Sequence, residues 1–70
     1  MADVPAHITG TVWKIEVTIG QAVSLGETLV ILESMKMQLP VQSNLDGKVA
    51  NIRVSPGDFV NEGDPILTLE

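Results

Sequence analysis

Cysteine is absent from this chain of 70 residues, and its single histidine is His7. A disulfide framework and a thiolate metal site are therefore excluded, and one imidazole cannot build a zinc cluster, so we expect no metal site. A chain this short buries only about 60% of the surface that its unfolded form exposes. Its core must come from aliphatic side chains, because the chain is 44% hydrophobic but contains only one Trp and one Phe.

Basic residues are also few, with four against nine acidic residues and a formal net charge of −5. A phosphate backbone would be repelled, so we expect no nucleic-acid partner. No apolar run approaches the roughly 20 residues of a membrane span, and the N-terminus lacks the features of a secretion signal. We therefore expect a soluble cytoplasmic protein without a membrane partner. An organelle location stays open, because a cleaved transit peptide would leave no trace.

The sequence repeats itself with an offset of 37 residues, so that residues 1–33 align with residues 38–70 without a gap. Ten of the 33 aligned pairs are identical: Val4/Val41, Gly10/Gly47, Val12/Val49, Ile15/Ile52, Val17/Val54, Gly20/Gly57, Val23/Val60, Gly26/Gly63, Leu32/Leu69 and Glu33/Glu70. Only residues 34–37 belong to neither copy. We interpret residues 1–70 as one domain in which Lys36 lies at the junction of an internal duplication.

Each copy contains four short segments of strand character. The predicted strands are residues 4–9, 11–17, 22–23 and 28–32 in the first copy and 39–43, 48–54, 59–60 and 65–69 in the second. Glycine or proline interrupts every window with a helical period, so no helix is predicted. Residues 55–58, Ser-Pro-Gly-Asp, predict a type II turn, with Pro at the second position and Gly at the third. The broken alternation between Val12 and Ile15 predicts a bulge or a twist near Trp13, a residue that we assign to the core or its rim. Two such units predict an all-β fold, a flattened barrel or sandwich of two four-stranded antiparallel sheets with pseudo-two-fold symmetry.

The junction does not follow local rules. Residues 31–41 have the pattern of one continuous strand, yet the duplication requires the chain to reverse there. A two-residue hairpin prefers Asn-Gly or Asp-Gly, and neither Met nor Lys favours positive φ. Such a failure is expected at a functional site. From the residues alone, an exposed Lys36 in a simple link between strands is the alternative, because most lysines are solvated.

Met35-Lys36-Met37, preceded by Glu33-Ser34, resembles the biotinylation motif Glu-Ala-Met-Lys-Met of the biotinyl/lipoyl carrier domain family, with Ser34 in place of alanine. The resemblance covers nearly the whole chain, including the two Gly-x-x-Val-x-x-Gly turn pairs of that family. These pairs are Gly20, Val23 and Gly26 in the first copy, and Gly57, Val60 and Gly63 in the second. Segments 18–27 and 55–64 have equal length, which leaves no room for a thumb insertion. The chain is therefore more similar to thumbless biotin carboxyl carrier domains and to biotin/lipoyl attachment proteins than to carriers with that insertion.

The resemblance implies that Lys36 sits on a hairpin turn and carries covalently attached biotin. It implies a swinging arm that moves an activated carboxyl group between the biotin carboxylase and carboxyltransferase sites of a carboxylase, after a biotin protein ligase has attached the biotin. Glu33, Ser34, Met35 and Met37 would form the recognition motif. The domain itself would be a non-catalytic carrier, since the chain shows no acid–base pair and no nucleophile constellation of its own.

Two other functions stay open, a lipoyl carrier with lipoate on Lys36 and an unmodified β-domain used for assembly. The family's lipoyl domains usually have an acidic residue before the lysine and a small one after it, whereas both neighbours here are Met, which favours biotin. Met35 and Met37 either cap the core or form an apolar patch read by partners. Glu33 is either a solubilising charge or a ligase contact. The sequence does not identify the carboxylase, its acyl substrate, or whether the chain is free-standing.

Overall fold

The computed structural model describes residues 2–70, and every regular element in that range is a β-strand. The strands are β1 (Ala2–Pro5), β2 (Gly10–Ile15), β3 (Ala22–Val23), β4 (Thr28–Ser34), β5 (Met37–Gln42), β6 (Gly47–Ile52), β7 (Phe59–Val60) and β8 (Pro65–Leu69). The prediction of an all-β fold is confirmed. Within these residues no helix exists that could span a membrane.

Two four-stranded sheets have the strand orders β1-β8-β6-β3 and β5-β4-β2-β7, with antiparallel neighbours throughout. A shift of 37 residues converts one order into the other. The pairing of Val12 with Leu32, for example, recurs as the pairing of Val49 with Leu69. The prediction of two sheets is therefore confirmed, and their symmetry is seen in the matching strand pairs of the two copies.

Hydrogen bonds that join the two copies of the repeat recur in the same way. Gly20 N donates to Val49 O at 2.7 Å, and the equivalent Gly57 N donates to Val12 O at 2.8 Å. The turn before Gly57 also matches its prediction, since Asp58 N donates to Ser55 O at 3.1 Å and Gly57 has a φ of 95°. Such a φ suits glycine, which has no Cβ to clash. Each copy thus closes its turns against the other copy.

The inner faces of the two sheets form one aliphatic core. Its fully buried members include Leu29, Val30, Leu32, Ile66, Leu67 and Leu69, together with Val12 and Val49. Most of these side chains come from β4 and β8, which occupy equivalent inner positions in the two sheets. β4 lies between β2 and β5 in its sheet, and its residues belong to the buried core. The segment that leads to Lys36 therefore begins inside that core.

The predicted bulge lies at Trp13, where the β2–β4 register shifts between Val12 and Lys14. Both Trp13 and Lys14 then lie opposite Ile31 on the outer face of the sheet. Trp13 is 51% exposed, so of the two positions expected for it, the core or its rim, the core is excluded. The bulge at the equivalent Ala50 shows that the backbone feature belongs to the duplicated fold and does not depend on an aromatic side chain.

Candidate functional site

The junction forms a tight hairpin between β4 and β5. Six cross-strand pairs join these strands, and the last of them, Ser34 with Met37, leaves only Met35 and Lys36 to make the turn. The reversal that the duplication requires is therefore confirmed, and the junction is the predicted hairpin turn. Strand propensity does run through the segment, but extended pairing on both sides of two residues forces the chain to reverse between them.

The turn has an unusual backbone for its residues. Met35 has a φ of 53° and Lys36 a φ of 65°, and within residues 2–70 no other non-glycine residue has positive φ. Positive φ at both central residues is the requirement of a type I′ turn, whose twist matches that of the flanking strands. Each left-handed residue with a Cβ costs about 1–2 kcal/mol. Strain of this kind persists where the surroundings enforce it, and it clusters at functional sites.

The side chains of the turn point away from the core. Met35 is 92% exposed and Met37 is 57% exposed, so neither methionine caps the core, and both present thioethers to solvent. Lys36 is exposed between them. Among the described residues its amino group has no salt bridge, whereas Lys14 lies 3.5 Å from Glu16. The arrangement offers a primary amine, flanked by apolar side chains, to a second molecule.

The base of the hairpin is held by a close approach of β2. A Cβ added to Gly10 would lie 2.6 Å from the carbonyl oxygen of Glu33 and 3.4 Å from Ser34 Cβ. Only glycine at position 10 allows this distance, so the sequence places its smallest residue where β4 ends. On the other side of β4, Gln38 Nε2 donates to Glu33 Oε2 at 3.4 Å. The half-buried Glu33 is thus tied into the sheet, with its carboxylate at the outer face.

The structure brings Lys36 and the four residues of the predicted recognition motif into one hairpin. Sequence reasoning missed the supporting role of Gly10, although its identity with Gly47 in the second copy was a usable signal. The two other lysines lie on strands, Lys14 in β2 and Lys48 in β6. Over residues 2–70 no three His, Asp or Glu side chains gather as a metal site would require.

A family model of the biotin/lipoyl type, described as "Biotin-requiring enzyme", matches residues 1–69. The chain belongs to this biotin/lipoyl family. It is 41% identical over 66 residues to the Biotin/lipoyl attachment protein of Bacillus subtilis, covering 94% of this chain and 90% of that protein. It is 42% identical over 65 residues to the Biotin carboxyl carrier protein of Streptococcus mutans, covering 93% of this chain and 50% of that protein.

The fold has the same relatives. The crystal structure of Kluyveromyces lactis urea carboxylase matches with a TM-score of 0.92 and 31% identity, covering 97% of this chain and 6% of that one. The chain therefore corresponds to most of one small relative, half of another and a small part of a large carboxylase. Family membership confirms the resemblance carried by Met35-Lys36-Met37, and with it the prediction of a non-catalytic carrier domain.

Proposed function

We propose that Lys36 is the attachment site for biotin and that the domain acts as a biotin carboxyl carrier. One observation carries the assignment: Lys36 occupies a left-handed position in a two-residue turn, exposed between two exposed methionines. The strain of that turn has no evident structural benefit, because an Asn-Gly turn would close the same hairpin at lower cost. Presentation of the lysine supplies a reason for keeping it.

The site is suited to the attachment reaction. A biotin protein ligase would supply biotinyl-adenylate as the activated acid. The neutral amine of Lys36 attacks the acyl carbon, an amide bond forms, the acyl–phosphate bond breaks, AMP leaves, and the nitrogen gives up a proton to the ligase or to water. Lys36 needs no rearrangement for this step, since its amino group has no ion-pair partner within residues 2–70. Met35 and Met37 offer adaptable apolar contacts beside the acceptor.

The attached group would supply the carboxyl-transfer chemistry, and the domain would supply position. Lysine stem and biotin together make an arm of roughly 15 Å from covalent geometry. The six pairs between β4 and β5 fix the point from which this arm extends. A short flexible tether gives an effective concentration in the millimolar range at each partner site. The proposed partners are the ligase and the biotin carboxylase and carboxyltransferase parts of a cytoplasmic carboxylase, without nucleic acid or membrane.

Lipoate on the same lysine is the second candidate, because the Bacillus subtilis relative is named for attachment of either group. Both functions use the same turn and the same amine. They differ in which ligase accepts the residues beside Lys36.

Intact mass spectrometry distinguishes these functions. The chain is expressed with active biotin and lipoate ligases, with both acids supplied, and the product is weighed and mapped by peptide. We expect one biotin per chain, attached at Lys36. Predominant lipoylation would assign the lipoyl function instead, and an unmodified chain beside active ligases would leave an assembly module as the function.

A further inference from the structure

The two sheets differ on their outer faces, and the duplication makes the comparison direct. On the sheet that carries Lys36, four apolar residues share the outer face: Trp13, Ile31, Pro40 and Phe59. At the equivalent positions of the other sheet stand, in the same order, Ala50, Thr68, Asp3 and Ala22. We call the first set the apolar face. The same backbone thus carries large apolar residues only beside Lys36.

Register places the apolar face directly below the hairpin. Phe59 pairs with Thr11, and Thr11 pairs with Glu33, one position below the Ser34–Met37 pair. Trp13 lies further from the turn along the same sheet, at the bulge opposite Ile31. Phe59 is 67% exposed and Trp13 is 51% exposed. Two exposed aromatic residues therefore lie on this sheet close to the base of the hairpin.

On the opposite sheet, two of the equivalent positions carry polar residues that bind each other. Thr68 Oγ1 donates to Asp3 Oδ1 at 3.1 Å and accepts from Arg53 Nε at 3.4 Å. An ion pair between Arg53 and Asp3 at 4.0 Å covers this network. Because the fold tolerates alanine, threonine and aspartate there, packing does not require the aromatic residues of the apolar face. Exposed apolar patches that the fold does not require mark interaction sites.

A second copy of this chain is a poor occupant. An aromatic side chain offers about 150–250 Å² when wholly buried, so two half-exposed aromatics and their neighbours offer a few hundred Å². A standard stable interface needs about 800 Å² per partner. The apolar face is too small for such an interface by itself, and the hairpin with Lys36 is the surface that adjoins it. Its occupant is therefore a molecule that engages Lys36 at the same time.

The distance between Lys36 and Phe59 indicates that a molecule bound at Lys36 also covers Phe59. Three residues along a strand and two strand spacings separate Lys36 from Phe59, which is about 14 Å from sheet geometry. An interface of about 800 Å² has a radius of about 16 Å when it is centred on Lys36. Phe59 falls inside that radius, and the acidic Glu33 and Asp58 lie near it. A partner surface with an apolar centre and basic side chains around it would be complementary to this patch.

The reach of the Lys36 side chain, with and without biotin, indicates which partner must contact the surface of the domain. The unmodified side chain reaches about 6 Å, whereas the biotinylated arm reaches about 15 Å. An enzyme that acts on the unmodified amine must contact the surface beside the hairpin. An enzyme that acts on the biotin at the end of the arm can bind further from the domain. We propose that the apolar face, anchored by Phe59 and Trp13, is the docking surface for the biotin protein ligase. This inference rests on the proposed attachment at Lys36.

The test measures ligation kinetics of the unmodified domain with biotin, ATP and a biotin protein ligase. Trp13→Ala, Phe59→Ala and the double variant introduce the residues that the equivalent positions already hold, so the fold should tolerate them. We expect KM to rise about tenfold in the double variant with kcat unchanged, because anchoring aromatics contribute to binding rather than to the reacting atoms. Leu25→Ala is the matched control: Leu25 is also 67% exposed but lies in the turn between β3 and β4, and its KM should change less than about twofold.

A binding measurement makes the result independent of turnover. The Lys36→Arg variant, which the ligase cannot modify, is titrated with ligase. Combining Lys36→Arg with Trp13→Ala and Phe59→Ala should weaken this binding about tenfold. An unchanged KM and affinity in a folded double variant would overturn the inference. So would intact ligation combined with lost carboxylation in a carboxylase assay, or a wild-type dimer that Phe59→Ala dissociates. Failure of the proposed function is seen separately, as a wild-type peptide map without modification at Lys36.

Discussion

Gly10 of β2 lies so close to Glu33 of β4 that a Cβ on Gly10 would be 2.6 Å from the Glu33 carbonyl oxygen. Glu33 is three residues before Lys36, so this contact sets where the hairpin leaves the sheet. The second copy repeats it, since a Cβ on Gly47 would be 2.9 Å from the carbonyl oxygen of Glu70. The two contacts are equivalent in structure, but only the first supports Lys36.

Gly10→Ala should therefore weaken both the fold and the site. The added methyl must displace the backbone of β4, and overpacking of this kind costs about 1–3 kcal/mol, measurable by urea unfolding. We also expect slower biotinylation of the protein that remains folded, because the base of the hairpin shifts. Gly47→Ala is the control, with comparable destabilisation and a normal biotinylation rate. Equal biotinylation rates in the two variants would contradict the role assigned to Gly10.

Met35→Asn should make the domain more stable and less readily modified. Asparagine tolerates the left-handed conformation that costs methionine about 1 kcal/mol, so the free energy of unfolding should rise by up to that amount. Loss of the thioether should slow ligation if Met35 is read by the ligase. Met37→Asn is the comparison, because Met37 belongs to β5 and gains nothing from a residue suited to positive φ. Stabilisation by both substitutions would show that turn strain is not the cause.

Much of the fold follows from the repeat and from local patterning. The alternation broken between Val12 and Ile15 predicted the bulge, and Pro56-Gly57 predicted the turn that the structure contains. The identity of Val12 with Val49 and of Leu32 with Leu69 predicted that the two copies pair alike. These signals are either local residue patterns or features that occur in both copies of the repeat, and for that reason they can be recognised from the sequence alone.

The duplication predicted the hairpin, but the left-handed backbone of its two turn residues could not be predicted in that way. Met35 and Lys36 adopt positive φ because the ladder between β4 and β5 overrides their own preferences, and a tertiary constraint leaves no mark on the turn residues. The exposure of Trp13 was not fixed by the sequence for a different reason, since a lone large aromatic residue can lie in a core or at its rim. Both surprises fall within the site or its flank.

Lys36→Arg should give a folded domain that accepts no biotin. Arginine keeps the positive charge but offers no primary amine, and it stays protonated in proteins. Intact mass and a thermal unfolding curve check the two halves of this expectation. Lys14→Arg and Lys48→Arg serve as controls and should be biotinylated as fully as the original chain. Modification that persists in Lys36→Arg, on either of the other lysines, would refute the assignment.

The residues beside Lys36 should decide between biotin and lipoate. Met35 and Met37 are exposed on both sides of the lysine, so a ligase that approaches Lys36 meets two thioethers and no adjacent charge. A ligase that expects an acidic neighbour would present a basic surface there, and specificity is the difference between the two affinities. Met35→Asp combined with Met37→Ala creates the flanks that resemble a lipoyl site. In competition between both ligases, weighed as intact protein, the original chain should take mainly biotin and the double variant should shift toward lipoate. A matched variant, Met35→Asn with Met37→Ala, separates the effect of the charge from the loss of the methionines. If all three proteins give the same product ratio, the flanking residues do not determine the attached group.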